Sequence, residues 1–399
     1  MTTGNTKTSF HVYLLLWIVY SLNGILYPPA SILARLSLLI IFLMSTMDAL
    51  VVIMKFDKCS YIKGLNFLLL VFTVYGLYFI FIDKEVIITK HNEVVPHYVW
   101  LKTIYIALLP FYSFLKYSIK GCITKKTLIK LLPILLILCI VKFVENQYNL
   151  QDDMAMDQEG VTNNMGYHFV ALLPFVFLLD KNKIQQYALL LFIFAFTLLS
   201  VKRGAILISV LCILWFLFNN IRYSNKRHKL YVILGAIIIG AVLGLIVLSF
   251  IRNNAYFSYR LEDTMSGDSS ERDWMYSFMI EWYLDNNTIT GLLLGNGPYT
   301  SIKLMGLPAH NDWLEIALAQ GLLGIIVYVI YWFSLLKTAL KLKKKEFNNA
   351  FCISVTFFII YFVKTFFSMS YSSIPFSAML IFAYSISYSF QTVKMKANL

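Results

Sequence analysis

The feature that most constrains this chain is the recurrence of apolar runs long enough to cross a bilayer. A hydrocarbon core about 30 Å thick needs roughly 20 apolar residues of helix. Runs of that order recur at 10–27, 32–54, 62–82, 97–117, 127–146, 165–180, 184–200, 203–219, 230–251, 313–337, 349–368 and 373–391. Only 14% of the residues are charged and 59% are hydrophobic, against about 25% charged in soluble globular chains. The strict alternation of a membrane barrel is missing. The expected architecture is an all-α polytopic membrane protein, one integral domain over 1–399 with roughly twelve transmembrane helices. No small-residue cleavage site follows the first run, so that run is expected to stay as the first span.

Basic residues set the orientation. With the N-terminus cytoplasmic, alternate loops collect clusters such as Lys120, Lys125, Lys126 and Lys130, or Lys341, Lys343, Lys344 and Lys345. Of the acids, only Asp57, Asp180 and Glu346 fall in those loops. The positive-inside rule then predicts that both termini are cytoplasmic. The net charge of +13 becomes an inner-leaflet feature that meets membrane lipids, with no reason to invoke nucleic acid. Cys59, Cys122, Cys139, Cys212 and Cys352 lie in inner loops or inside spans. Neither a disulfide framework nor a zinc spacing is indicated.

Two outer loops stand out. Residues 147–164 are acidic and close on Asn163-Asn164. Residues 252–312, between the ninth and tenth spans, form the largest loop, and long loops in compact proteins are usually functional. From Glu271 that loop is periodic. Asp273, Ser277, Glu281 and Asp285 fall on one helical face, and Trp274, Met275, Phe278 and Trp282 on the other. The pattern predicts an amphipathic helix suited to the headgroup region. Gly295-Asn296-Gly297-Pro298 reads as a turn cluster.

Three groups of residues could carry chemistry. Lys202-Arg203-Gly204 separates two apolar runs on the outer side. It reads either as a snorkelling basic pair or as an arginine fork at a helix start, with Ser200 as cap and Gly204 allowing close approach, suited to a phosphate. Arg272 stands between Glu271 and Asp273 and reads either as a local ion pair or as a second anion ligand. Arg260 and Arg252 offer weaker contexts. The third group is His310. Asp312 and Glu315 have the D-x-x-E spacing of a capping box, which starts a helix at Asp312 and leaves His310 just ahead of it. The helix dipole there favours neutral imidazole, the form a general base needs. The bland alternative is a surface histidine. Asn311 fits either a turn or a ligand contact. No metal-binding spacing appears in the outer loops, so no metal is expected.

These residues carry a resemblance. Ser200-Val201-Lys202-Arg203-Gly204-Ala205, followed by a long outer loop with Gly295-Asn296-Gly297, Ala309-His310-Asn311-Asp312-Trp313-Leu314-Glu315 and Gly321-Leu322-Leu323-Gly324, resembles the bacterial O-antigen polymerase and ligase superfamily. The acidic loop closing on Asn164 is also similar. The likeness covers roughly residues 160–340, and the Ala-His-Asn with its following glycines is its most specific part. The resemblance implies a metal-independent, cofactor-free glycosyltransferase of GT-C type fold in the bacterial inner membrane. Its site would face the periplasm. Donor and acceptor would be oligosaccharides on undecaprenyl pyrophosphate, and a chain-length regulator protein would be a further partner. Carried over, Arg203 and Arg272 would hold the pyrophosphate, with Lys202 beside them and Arg260 as the alternative to Arg272. His310 would deprotonate the acceptor hydroxyl, with Asn311, Asn164, Gly204 and Glu315 in support.

Polymerase is the first expectation and O-antigen ligase the alternative, since both share these residues. A transporter of lipid-linked glycan is the reading from a different class. It would show internal repeats and ionisable or Gly/Pro-broken spans near the midplane, whereas here the polar content gathers in one outer loop.

Overall fold

A computed structural model describes residues 4–28, 31–56, 59–82, 87–88, 94–154, 163–180, 182–223, 272–285 and 288–396, with scattered positions between 224 and 271. The described residues are mostly helical and include a two-residue antiparallel ladder that pairs Ile87 with Val95 and Ile88 with Val94. Among the described residues, six helices are long and apolar enough to cross a membrane: Ile32–Lys55, Ser60–Phe81, His97–Ile119, Lys125–Tyr148, Arg203–Arg222 and Asp312–Lys344. Helices satisfy every backbone polar group within one segment, the condition hydrocarbon imposes. Shorter apolar segments cover Gly166–Leu178, Lys183–Leu199, Asn348–Lys364 and Phe376–Phe390. The 230–251 run falls largely outside the described residues.

One expected span takes another form, and a second keeps its length but is divided by a proline. Residues 165–180 are a short helix, Gly166–Val170, followed by a 3-10 turn, Leu173–Leu178. Pro174 has no N–H to continue an α-helix. Every residue of Gly166–Leu178 except His168 is buried, so the run is apolar because it is core, not because it faces lipid. The 97–117 run divides at Leu109–Pro110, where Pro110 opens a second helix, Pro110–Ile119, at the position proline tolerates best.

The chain forms two compact units. The first comprises residues 1–23, 29–124 and 271–399, the second 24–28 and 125–270. The first is held by an aromatic core. Tyr61 meets Phe111 and Phe382 edge-on at 4.9 Å each, and Phe382 stacks on Phe357 at 4.0 Å. These rings join four helices through contacts worth about 0.5–1.5 kcal/mol each beyond burial. Gly64 lets the Ser60–Phe81 helix lie against Asp312–Lys344, since a Cβ there would meet Ser334 Oγ at 2.1 Å. Asp48, buried within its helix, pairs with Lys116, so the carboxylate is neutralised inside the fold.

Candidate functional site

The Asp312–Lys344 helix begins where the D-x-x-E spacing predicts, but the capping differs. Asn311 is the cap: its side chain accepts from Leu314 N at 3.1 Å, and its carbonyl accepts from Glu315 N at 2.9 Å. Asp312 and Glu315 are freed from capping and serve as buried acceptors, 0% and 5% exposed. Asp312 takes the Ser370 N–H at 2.8 Å, the Tyr371 N–H at 3.3 Å and the Tyr328 hydroxyl at 2.5 Å. Glu315 takes the Ser301 hydroxyl with both oxygens and the Ala309 N–H with one. A buried carboxylate needs this many donors, because charge left unpaired in low dielectric costs several kcal/mol.

The consequence falls on His310. Its predecessor Ala309 is fully buried and bonded to Glu315, and its successor Asn311 is the cap. Pinned on both sides, His310 adopts a left-handed backbone, φ 53°, and its side chain is exposed. A non-glycine residue there is uncommon and is held only by its surroundings.

Arg272 reaches the same place. It opens the Arg272–Asp285 helix and donates to the Phe367 carbonyl at 3.3 Å, while the Asn311 amide donates to the adjacent Phe366 carbonyl at 3.1 Å. One turn, 365–371, thus links the Arg272 head to the residue after His310. The same turn receives Asp312 N on Thr365 O and Trp313 Nε1 on Thr365 Oγ1. Tyr276, one turn along the Arg272 helix, has its phenol pushed above the usual range by burial, with Arg272 pulling the other way.

A helix covers Arg272–Asp285, but its buried face is not the one expected. Met275 and Met279 are the buried pair, packed with Ala309 and Leu318 and flanked by Trp282 and Leu314. Trp274, 65% exposed, stacks on Phe278 on the outward side. The positions 275, 279 and 282 cluster about 100° round the helix from 274 and 278, so the two aromatics share the outer face with Asp273 and Glu281.

The Gly-Asn-Gly turn has a second partner the sequence did not suggest. The Asp312–Lys344 helix is broken at Gly321, φ 63° and ψ −157°. Just before the break, Leu318 O accepts from Asn296 N at 2.9 Å and Ala319 O from Gly297 N at 3.0 Å. The Tyr75 hydroxyl also donates to Ala319 O, at 2.6 Å. Gly295, φ 78°, sits so close that a Cβ would lie 2.2 Å from Ala319 O. Gln320, 1% exposed, lies at the break with neither amide atom partnered.

Arg203, Lys202, Gly204 and Asn164 lie in the second unit. Ser200 does not cap the following helix as expected. It ends the Lys183–Leu199 helix, donates to Thr197 O and accepts from Lys202 N. Lys202 occupies the cap position, its carbonyl accepting from Ile206 N at 3.1 Å. Arg203 opens the next helix, Arg203–Tyr223, and Lys202, Arg203 and Gly204 are half-buried. Val201 holds a left-handed backbone, φ 52°, a true outlier for a β-branched residue. The turn is fastened by Asn163, not Asn164. Asn163 is buried, and its N–H donates to Ser200 O at 2.8 Å. Its side chain bonds Asn146, Gln147, Phe143 O and Met165 N. Asn164 is exposed. The paired asparagines gave the signal for this fastening but not which of the two provides it. Gly166 completes it, since a Cβ there would meet Ser200 Oγ at 2.3 Å and Ala205 Cβ at 3.2 Å.

Arg260 lies outside the described residues. Among the described residues, no group of three or more His, Cys, Asp or Glu is placed to hold a metal ion. No protein-family model and no curated protein matches the chain.

Proposed function

We propose that this protein is a membrane glycosyltransferase that polymerises lipid-linked oligosaccharides, with His310 as general base and Arg203 and Arg272 as pyrophosphate ligands. The observation that supports it best is the mounting of His310. A strained, exposed imidazole stands beside a helix N-terminus, and the 365–371 turn joins its neighbour Asn311 to Arg272. Strain of about 1–3 kcal/mol persists where the surroundings over-determine it, and such sites cluster at functional positions.

In the proposed step His310 takes the proton of an acceptor sugar hydroxyl. The acceptor oxygen forms a bond to the anomeric carbon of the donor, and the bond from that carbon to the pyrophosphate oxygen breaks. The electron pair leaves with the pyrophosphate. Guanidinium groups there stabilise the developing charge more in the transition state than in the ground state. Both substrates are amphiphiles on polyprenyl pyrophosphate, which suits a protein built of apolar helices. The proposal includes a GT-C type arrangement of roughly twelve spans, a bacterial inner-membrane location, cytoplasmic termini and a site on the periplasmic side.

A transporter finds one supporting observation, the break at Gly321, because discontinuous helices line many transport sites. Its freed carbonyls are already taken by Asn296, Gly297 and Tyr75, which leaves less for an ion or substrate to bind.

The test is glycan analysis of cells carrying His310→Asn or Arg203→Ala. Loss of long chains, with the variant still in the membrane, supports the proposal. Long chains in both variants sink it. Single repeats on the carrier core indicate a lost polymerase, and a wholly uncapped core indicates a lost ligase.

A further inference from the structure

The first unit contains a cleft of about 390 Å³ that His310 does not line, within the range of roughly 300–1,000 Å³ typical of small-molecule sites. Its walls come from the Ile32–Lys55 helix and from His97–Leu108 with the start of its continuation. Leu39, Phe42, Leu101, Ile106 and Leu109 make it apolar, and Arg35 and Lys102 are the two cations on its lining. Both cations are exposed, and neither meets a carboxylate among the described residues.

Phe42 meets Tyr105 at 5.6 Å between ring centroids, and further along both segments Asp48 pairs with Lys116, on the continuing helix Pro110–Ile119. The two contacts follow one another in the same order on both sides, so the two walls advance in the same sense. At 1.5 Å per residue, Arg35 lies about 10 Å and Lys102 about 4–5 Å from the Phe42–Tyr105 contact, on the same side of it. The charges therefore gather at one end of the cleft. From Arg35 to Ser45, the first and last residues of this helix on the lining, the helix advances about 15 Å. That equals one leaflet of a hydrocarbon core about 30 Å thick.

We propose that this cleft binds an anionic diacyl phospholipid from the leaflet in which these two helices begin, its phosphate on Arg35 and Lys102 and one acyl chain along the apolar wall. Snorkelling accounts for a lone cation at a helix end, but not for two cations from different helices on one cleft, neither with a carboxylate partner among the described residues. A zwitterionic lipid would bring its own ammonium toward the second cation, so the site selects net negative charge. A polyprenyl chain is several times longer than a one-leaflet cleft. The inference does not depend on the glycosyltransferase reading, since none of the residues proposed for that reaction lines the cleft.

The test uses the full chain purified in detergent, incubated with equal amounts of phosphatidylglycerol and phosphatidylcholine and examined by native mass spectrometry. Phosphatidylglycerol adducts should dominate. The double variant Arg35→Gln/Lys102→Gln should lose about tenfold of them, the equivalent of roughly 1.4 kcal/mol. Lys102→Arg, which keeps the charge, should retain them. Both changes lie on exposed side chains, and an unchanged apparent melting temperature reports an intact fold. Equal retention of the two lipids by the unmodified protein would overturn the proposal. So would a double variant that holds phosphatidylglycerol as before, or displacement of phosphatidylglycerol by an equal concentration of polyprenyl phosphate.

Discussion

The Ser301 hydroxyl donates into the buried Glu315 carboxylate, 2.8 Å from Oε1 and 2.7 Å from Oε2. The same carboxylate holds Ala309 N–H, so one side chain fastens the loop on both sides of Leu307-Pro308 and sets the approach to His310. Ser301→Ala should cost about 1–3 kcal/mol, the range for leaving a buried acceptor short of its partner. Glu315→Gln should cost at least as much, because its amide brings a donor among donors. A lowered apparent melting temperature of the purified protein checks both. No change for Glu315→Gln would mean the loop is held by something else.

Asp312, at the start of the helix, and Tyr328, beyond its Gly321 break, form a buried coupled pair at 2.5 Å. Asp312→Asn and Tyr328→Phe should each destabilise, and the double variant should lose less than the sum of the two. A double-mutant cycle on unfolding should give a coupling of about 0.5–3 kcal/mol. Additivity would remove the pair from the explanation of how the 365–371 turn is held.

Two glycines separate backbone strain from steric conflict. Gly295 and Gly121 both have positive φ, 78° and 76°. A Cβ on Gly295 would strike the Ala319 carbonyl, whereas one on Gly121 would meet nothing within 4 Å. Gly121→Ala should cost only the left-handed penalty of about 1–2 kcal/mol. Gly295→Ala should cost clearly more and reduce the amount of folded protein in the membrane. Equal effects would show that the Gly-Asn-Gly turn is not wedged against the helix break.

His310→Asn should abolish polymer without lowering stability by more than about 0.5 kcal/mol, since surface substitutions rarely exceed that. Asparagine tolerates the left-handed backbone, so the change removes the base and leaves its mounting. Glycan analysis and thermal melting on one preparation separate the two effects. A large drop in melting temperature would make His310 a structural residue.

Gly166→Leu should reproduce the loss expected of Arg203→Ala, although it removes no charge. The added side chain would displace Ser200 and Ala205 and with them the turn that presents Arg203. Wild-type chain lengths from Gly166→Leu would show that the packing at Ser200 is not what orients the arginine.

Period and composition carried much of this protein. The length of the apolar runs fixes helices as the only economical way to satisfy backbone groups in hydrocarbon. The helix over Arg272–Asp285 and the start at Asp312 follow from local spacing, because periodicity and caps act within a few residues. What spacing could not decide is which polar group faces which. Asp312 and Glu315 look like caps in one dimension, yet all their donors except Ala309, namely Ser370, Tyr371, Tyr328 and Ser301, come from 14 to 59 residues away. The 165–180 run has the composition of a span, but burial on all sides makes the same composition into core. The Gly321 break, the Asn163 fastening and the left-handed His310 all arise from contacts between distant segments. Local sequence determined the elements, and only the tertiary structure determined which carboxylates would be buried and which imidazole left exposed. A buried charge is stable only where distant donors converge on it.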